Sequence, residues 1–200
     1  MARPRAPTFE LQRTAIVQTA ARLFADQGFP GTSMAQLAQA CGVSKPLLYH
    51  YYRGKAHILF DVADGYMDRL IVLASEVGAE RLDAEAHFRA LVARFMNEYQ
   101  HARAQHMVLV QDVKFLEAAE RAQVVDKQRQ VVDTFAAAIA KLKPRWSRKT
   151  LRVPLAMILF GMINWTFTWL RPDGPLRYSD MADVVAEIFL HGATAGGQPT

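Results

Sequence analysis

The sequence predicts an all-α protein of about nine helices, with an N-terminal three-helix unit followed by a larger helical domain. Three observations predict it. Apolar residues recur at helical spacing along nearly the whole chain, and no alternating stretch bounded by turns suggests a strand. Residues 32–55, TSMAQLAQACGVSKPLLYHYYRGK, encode two short helices about a tight turn. The charge is also uneven: residues 1–55 carry seven basic and two acidic side chains, so they hold the entire formal net charge of +5. With 200 residues, 51% apolar and 22% charged, the chain is ordinary globular material with enough length for a sizeable core. We divide it into a small domain over 1–54 and a larger one over 55–200.

The elements follow in order. Residues 1–8, MARPRAPT, hold two prolines and two arginines and read as a mobile arm. Such an arm either reaches a DNA backbone or minor groove or is simply a disordered end. A first helix runs from about Phe9 to Gln27, with Ile16, Ala20, Leu23 and Phe24 on its apolar face, and stops at Gly28. Ser33 caps the second helix and Gln36 completes a capping box. Met34, Leu37, Ala38 and Cys41 then form one apolar stripe, Gly42 suits a left-handed helix end, and Val43 anchors the turn. Ser44 caps the third helix, where Pro46 in the first turn sacrifices no intrahelical hydrogen bond. This is a helix-turn-helix, a device for entering the DNA major groove. A fourth helix starts near Lys55 and runs to about Val77, with Gly78 as its stop. Helical spacing continues over 84–103, 105–114, 117–142, 148–171 and 180–194, with a loop at RPDGP, 171–175.

Residues 153–170 form an uncharged run of 18. A helix apolar on all sides is covered by its own core, by a second subunit, or by a bilayer. Asn164, Thr166, Thr168 and the mid-run Gly161 argue against the bilayer, and Gly161 would let a partner helix approach closely. We therefore expect a homodimer through the helices near 153–171 and 180–194, and no membrane. The single cysteine, Cys41, excludes an internal disulfide and suits a reducing cytoplasm. No apolar block follows Arg3 and Arg5, so no signal peptide is expected and the chain reads as cytoplasmic. No catalytic residues are nominated, because nucleophile-elbow, phosphate-loop and zinc-helix motifs are missing from the sequence. His101 and His106 are five apart, off the spacing that places two ligands on one helix face. We expect no metal and no cofactor. A nonspecific or architectural DNA-binding protein is the alternative reading, since it would share the basic N-terminal quarter.

In a helix-turn-helix the first turn of the second helix points at base edges, which nominates Lys45, Pro46 and Leu47. Lys45 can donate to guanine acceptors and Leu47 can meet a thymine methyl. Leu48 should pack inward. Thr32, Ser33 and Ser44 are candidates for hydroxyl or amide contacts to the backbone. His50 either touches phosphate or is a solvent-exposed imidazole.

These residues also resemble a family. The apolar helix ending in LFADQGFPGTS (23–33), the CGVSK turn (41–45) and LYHYYRGK (48–55) are similar to the N-terminal domain of TetR/AcrR transcriptional regulators. The aromatic run departs slightly from the family's usual pattern, with His50, Tyr51 and Tyr52 following Tyr49. The resemblance implies that Tyr49 and Lys55 lie on phosphates and that Tyr52 is a core aromatic. Further on, LFGMINWTFTWLRPDGPL (159–176) resembles the regulatory domain of members that respond to acyl-CoA thioesters. It implies a two-fold dimer, a palindromic operator, and repression released by a small amphipathic effector. It also implies an apolar effector pocket in the larger domain, for which we nominate Tyr66, Phe95, Tyr99, Met107, Phe115, Met157, Phe160, Asn164 and Trp165. Arg103, Arg145, Arg148 and Lys149 are candidates for the thioester's phosphates.

Overall fold

A computed structural model describes residues 7–142, 147–171 and 173–195. Among the described residues every regular element is helical. The order is α1 (Pro7–Gln27), α2 (Met34–Ala40), α3 (Lys45–Tyr51), α4 (Lys55–Ala79), α5 (Ala84–His101), α6 (Arg103–Gln111), α7 (Ala118–Leu142), α8 (Lys149–Ile163) and α9 (Tyr178–Ala195). Short 3-10 turns stand at Val113–Phe115 and Thr166–Thr168.

Two expectations change. Pro7 and Thr8, assigned by sequence to the arm, begin α1 instead, because proline is preorganised for a first helical turn. The rest of the arm lies outside the described residues. The helix expected over 148–171 ends at Ile163. The Thr166 hydroxyl donates to the Ile163 carbonyl at 2.7 Å and the Thr168 hydroxyl to the Trp165 carbonyl at 2.7 Å. Those side chains compete for the carbonyls and tighten the backbone into a 3-10 turn.

Packing divides the described residues into two compact units, one of 7–67 together with 104–125, the other of 68–103 with the described residues from 126 onward. The first unit extends past residue 54, since the start of α4 and the α6 segment pack with the helix-turn-helix. In the first unit α1 packs on α2 and α2 on α3. Ile16, Phe24, Leu37, Leu48, Ile58 and Leu59 are buried there.

In the second unit α5 packs along α9, and α8 also meets α9. The inward stripe of α5 (Phe88, Leu91, Val92, Phe95, Met96, Tyr99) is fully covered. Phe88 stacks on Phe189 at 5.2 Å, while Phe95, Phe135 and Phe160 form an edge-to-face series at 4.8 and 4.9 Å. Each such ring removes a large apolar area from water, about 1.5–3 kcal/mol per side chain.

Candidate DNA-reading surface

Local chemistry builds the reader. The capping box forms: the Gln36 amide donates to the Ser33 hydroxyl at 3.2 Å and the Ser33 amide to the Gln36 side-chain oxygen at 2.8 Å. Helix α2 then closes at Gly42, whose φ of +65° suits glycine. The Val43 amide donates to the Ala38 carbonyl at 3.0 Å and the Gly42 amide to the Gln39 carbonyl at 3.1 Å. This pair of bonds is the Schellman closure, and it satisfies two carbonyls that would otherwise be orphaned. One residue later the Ser44 hydroxyl accepts from the Leu47 amide at 3.2 Å and starts α3.

Leu48 faces inward with no exposure, as expected. Ser44, Lys45, Pro46, Leu47, Tyr49 and His50 are all exposed, so the structure gathers these nominated residues on the outside of one short helix. Leu47 is 41% exposed and Tyr49 47%, a leucine and a phenol left in water beside an ammonium. Apolar surface presented in this company suits a partner with both phosphates and base edges.

Two nominated residues are corrected. Thr32 is 2% exposed and its hydroxyl donates to the Gly28 carbonyl at 2.9 Å, so it serves the turn after α1. Lys55 turns its ammonium inward, donating to the carbonyls of Phe29, Pro30 and Thr32 at 2.8, 3.2 and 2.7 Å. An ammonium has three donors, and all three are engaged. Ser33 remains exposed and acts as the α2 cap.

Sequence reasoning missed the network beneath the reader. Arg13 of α1 donates through Nε and Nη2 to Asp61 Oδ2 at 3.0 and 2.7 Å, and the Tyr52 hydroxyl donates to the same oxygen at 2.7 Å. Burial, then the bond to the Asp61 carboxylate, pushes the Tyr52 hydroxyl above its ordinary pKa and keeps it a donor. No local signal marks this triad, since Arg13 and Asp61 stand 48 residues apart. Tyr52 is buried at 5%, in keeping with its reading as a core aromatic. Tyr51 stacks on Phe9 at 4.5 Å, tying the end of α3 to the start of α1.

The nine effector-pocket candidates fall in both units. Phe95, Tyr99 and Phe160 are buried in the aromatic core of the second unit, where the Tyr99 hydroxyl donates to Asn164 Oδ1 at 2.9 Å. Burial raises the Tyr99 pKa well beyond its usual value, so this bond keeps its proton. Met157 and Trp165 are corrected: at 54% and 59% exposure they face outward rather than into a pocket. Phe115 is corrected too, being 40% exposed and stacked on Phe29 at 5.4 Å in the first unit. In that unit Tyr66 is buried against the His106 ring and Met107 is half-buried. Of the cationic candidates, Arg103 donates to the Phe167 carbonyl at 2.9 Å and Arg148 is exposed. Arg145 and the Lys149 side chain lie outside what is described.

A capped two-helix turn with a basic, apolar and phenolic outer face defines a helix-turn-helix DNA-binding protein. Comparison with known proteins narrows the class. Residues 16–62 match the family of bacterial regulatory proteins of the tetR type, and residues 81–193 match the tetracyclin repressor-like C-terminal domain. The chain belongs to the TetR family of transcriptional regulators. It is 26% identical over 184 residues to the HTH-type transcriptional repressor KstR2 of Rhodococcus jostii, covering 90% of both chains. A TetR-family regulator from Bordetella parapertussis shares 31% identity and superposes with a TM-score of 0.86, over 94% of this chain and 98% of that one. AibR in complex with isovaleryl coenzyme A and operator DNA shares 26% identity with a TM-score of 0.79, over 88% and 97% of the two chains. The matched families are families of regulators, not of enzymes.

Proposed function

We propose that the protein is a cytoplasmic homodimeric repressor that binds a palindromic operator and releases it on binding a small amphipathic effector, an acyl-CoA thioester. The observation that carries this reading is the coexistence of two exposed surfaces on one chain, the α3 reading face and an uncovered apolar face on α8 and α9. Val153, Met157, Ile158, Trp165 and Trp169 lie outward after the start of α8, and Val184 and Ile188 lie outward on α9. A Cβ added to Gly161 would meet nothing within 4 Å. Isolated exposed apolar residues are ordinary, but this many on α8, the turn after it and α9 suit a protein interface. A short α3 reads only a short half-site, and a two-fold partner doubles the contacts.

In this reading Lys45, Pro46 and Leu47 meet base edges, while Ser33, Ser44, Tyr49 and His50 flank the phosphates. The relatedness to KstR2, a repressor, supports the sign of regulation. The AibR complex, solved with an acyl-CoA and DNA together, supports the effector class. Within the second unit, Phe95, Tyr99, Phe160 and Asn164 offer rings and an amide to an acyl chain and its carbonyl. A coupling of about 1–3 kcal/mol between effector and operator would change affinity about 5- to 150-fold.

Selection of bound DNA from a random pool, then titration of the recovered site with short, long and aromatic acyl-CoA thioesters, tests the proposal. A palindromic site discharged by one thioester class is expected. Absence of any binding heat and of any operator release across the series removes the effector class. With the operator in hand, Lys45→Ala should erode discrimination at one or two base positions, at about 1–3 kcal/mol each, in a competition gel shift. Tyr49→Phe should instead weaken all sites alike. A uniform loss from both would show that the reading face is misplaced.

A further inference from the structure

Phe29, in the turn between α1 and α2, is gripped from two directions within the first unit. From one side Lys55 donates to its carbonyl at 2.8 Å, and the ammonium also stands 4.5 Å over the Phe29 ring. From the other side the Phe115 ring stacks on it at 5.4 Å with planes 25° apart. Burial pushes the pKa of the nearby Asp112 carboxyl up, while Lys114 and the Phe29 backbone amide oppose that push. Asp112 and Phe115 follow directly on α6, and residues 104–125 fold in the same unit as the helix-turn-helix.

Neither residue is explained by its own element. Asp112 is only 7% exposed and follows the last turn of α6, where an acidic group meets the negative end of the helix dipole. A carboxyl held inside in that position needs positive charge nearby, and Lys114 together with the Phe29 amide dipole supplies it. Phe115 is 40% exposed, so stacking on Phe29 accounts for its position better than burial does. The turn they hold has little slack. Gly28 has a φ of +75°, and a Cβ at Gly31 would come within 2.7 Å of the Gln27 carbonyl oxygen. Two residues beyond Gly31 stands Ser33, the cap from which α2 starts.

We propose that Asp112 and Phe115 are positioning residues for DNA reading. They fix Phe29, Phe29 with Lys55 fixes the entry into α2, and the Schellman turn carries that placement to α3. The α6 segment thereby sets how α3 meets the operator while touching no DNA itself. The inference rests on α3 being the reader.

The test uses the full chain with Asp112→Leu, Phe115→Ala and the conservative Asp112→Asn. Fluorescence anisotropy is read on the selected operator and on random duplex, with hydrogen–deuterium exchange over residues 29–34 alongside. Asp112→Leu and Phe115→Ala are expected to bind the operator about tenfold more weakly while random-duplex binding stays within about twofold, because contacts are misplaced and charge is not lost. Exchange in the turn should quicken in both. Asp112→Asn, which keeps the shape and an oxygen facing the Phe29 amide, should restore both readouts. Unchanged operator affinity, or equal losses on both duplexes together with a lower melting temperature, overturns the positioning role. Unchanged exchange overturns it independently of DNA. A wild-type chain that selects no sequence at all indicts α3 as reader instead, and the exchange comparison still decides whether the two side chains hold the turn.

Discussion

Ile158→Asp should leave a folded chain that sediments as a monomer and no longer holds its operator. Ile158 is 58% exposed, so the substitution disturbs little packing within the chain. In the proposed dimer, however, the same position is covered by a second copy, and a carboxylate enclosed there without a partner costs several kcal/mol. Dimer affinity should fall by at least about 100-fold. Operator affinity should fall by about 10³-fold, since one reading head gives up half of its interface. Val72→Asp is the matched control: Val72 is 47% exposed but lies on α4, not on α8 or α9. Sedimentation at micromolar concentration reads both variants. A dimer that survives Ile158→Asp, or dissolves equally with Val72→Asp, rejects the proposed seam.

Asp61→Ala should produce the second large effect, this time on stability. One carboxylate oxygen accepts from both Arg13 and Tyr52, and the Asp61 side chain is 17% exposed against 40% for Arg13. Removing it strands a buried phenol and a half-buried guanidinium. The exposure of Arg13 reduces the penalty below that of a fully buried pair, to about 2–3 kcal/mol. For a chain of this length that lowers the melting temperature by about 5–10 °C. Tyr52→Phe, which removes one hydroxyl and keeps the ring, should cost about 1 kcal/mol. The double variant should lose little more than Asp61→Ala alone, because both changes act on one shared oxygen. Thermal unfolding followed by circular dichroism settles the matter. A loss under about 0.5 kcal/mol for Asp61→Ala would falsify the view that this triad ties α1 and the end of α3 to α4.

The reader itself was nearly complete in the sequence. Ser33 with Gln36, Gly42 with Val43, and Ser44 with Pro46 each act over a few residues, and each formed as its spacing predicts. The inward Leu48 and outward Lys45, Leu47 and Tyr49 also followed, because α3 is too short to be ambiguous about its faces. Lys55 was misread for a reason of the same kind. A lysine at the start of a helix near a DNA reader carries the same local signature whether it meets phosphate or three carbonyls of its own chain. The pocket candidates Met157 and Trp165 show the equivalent ambiguity in hydropathy, which marks a residue as apolar without saying what covers it.

By itself the sequence determined the all-helical class, the caps and turn of the reading element, and the concentration of positive charge in residues 1–55. Those features depend on backbone geometry and side-chain reach over one or two helical turns, or on composition alone. Only the tertiary structure decided that Lys55 points inward, that Asp61 joins Arg13 to Tyr52, and that Phe115 stacks on Phe29. Such pairings join residues far apart in the chain, and they exist only where packed helices bring a donor within about 3 Å of its acceptor.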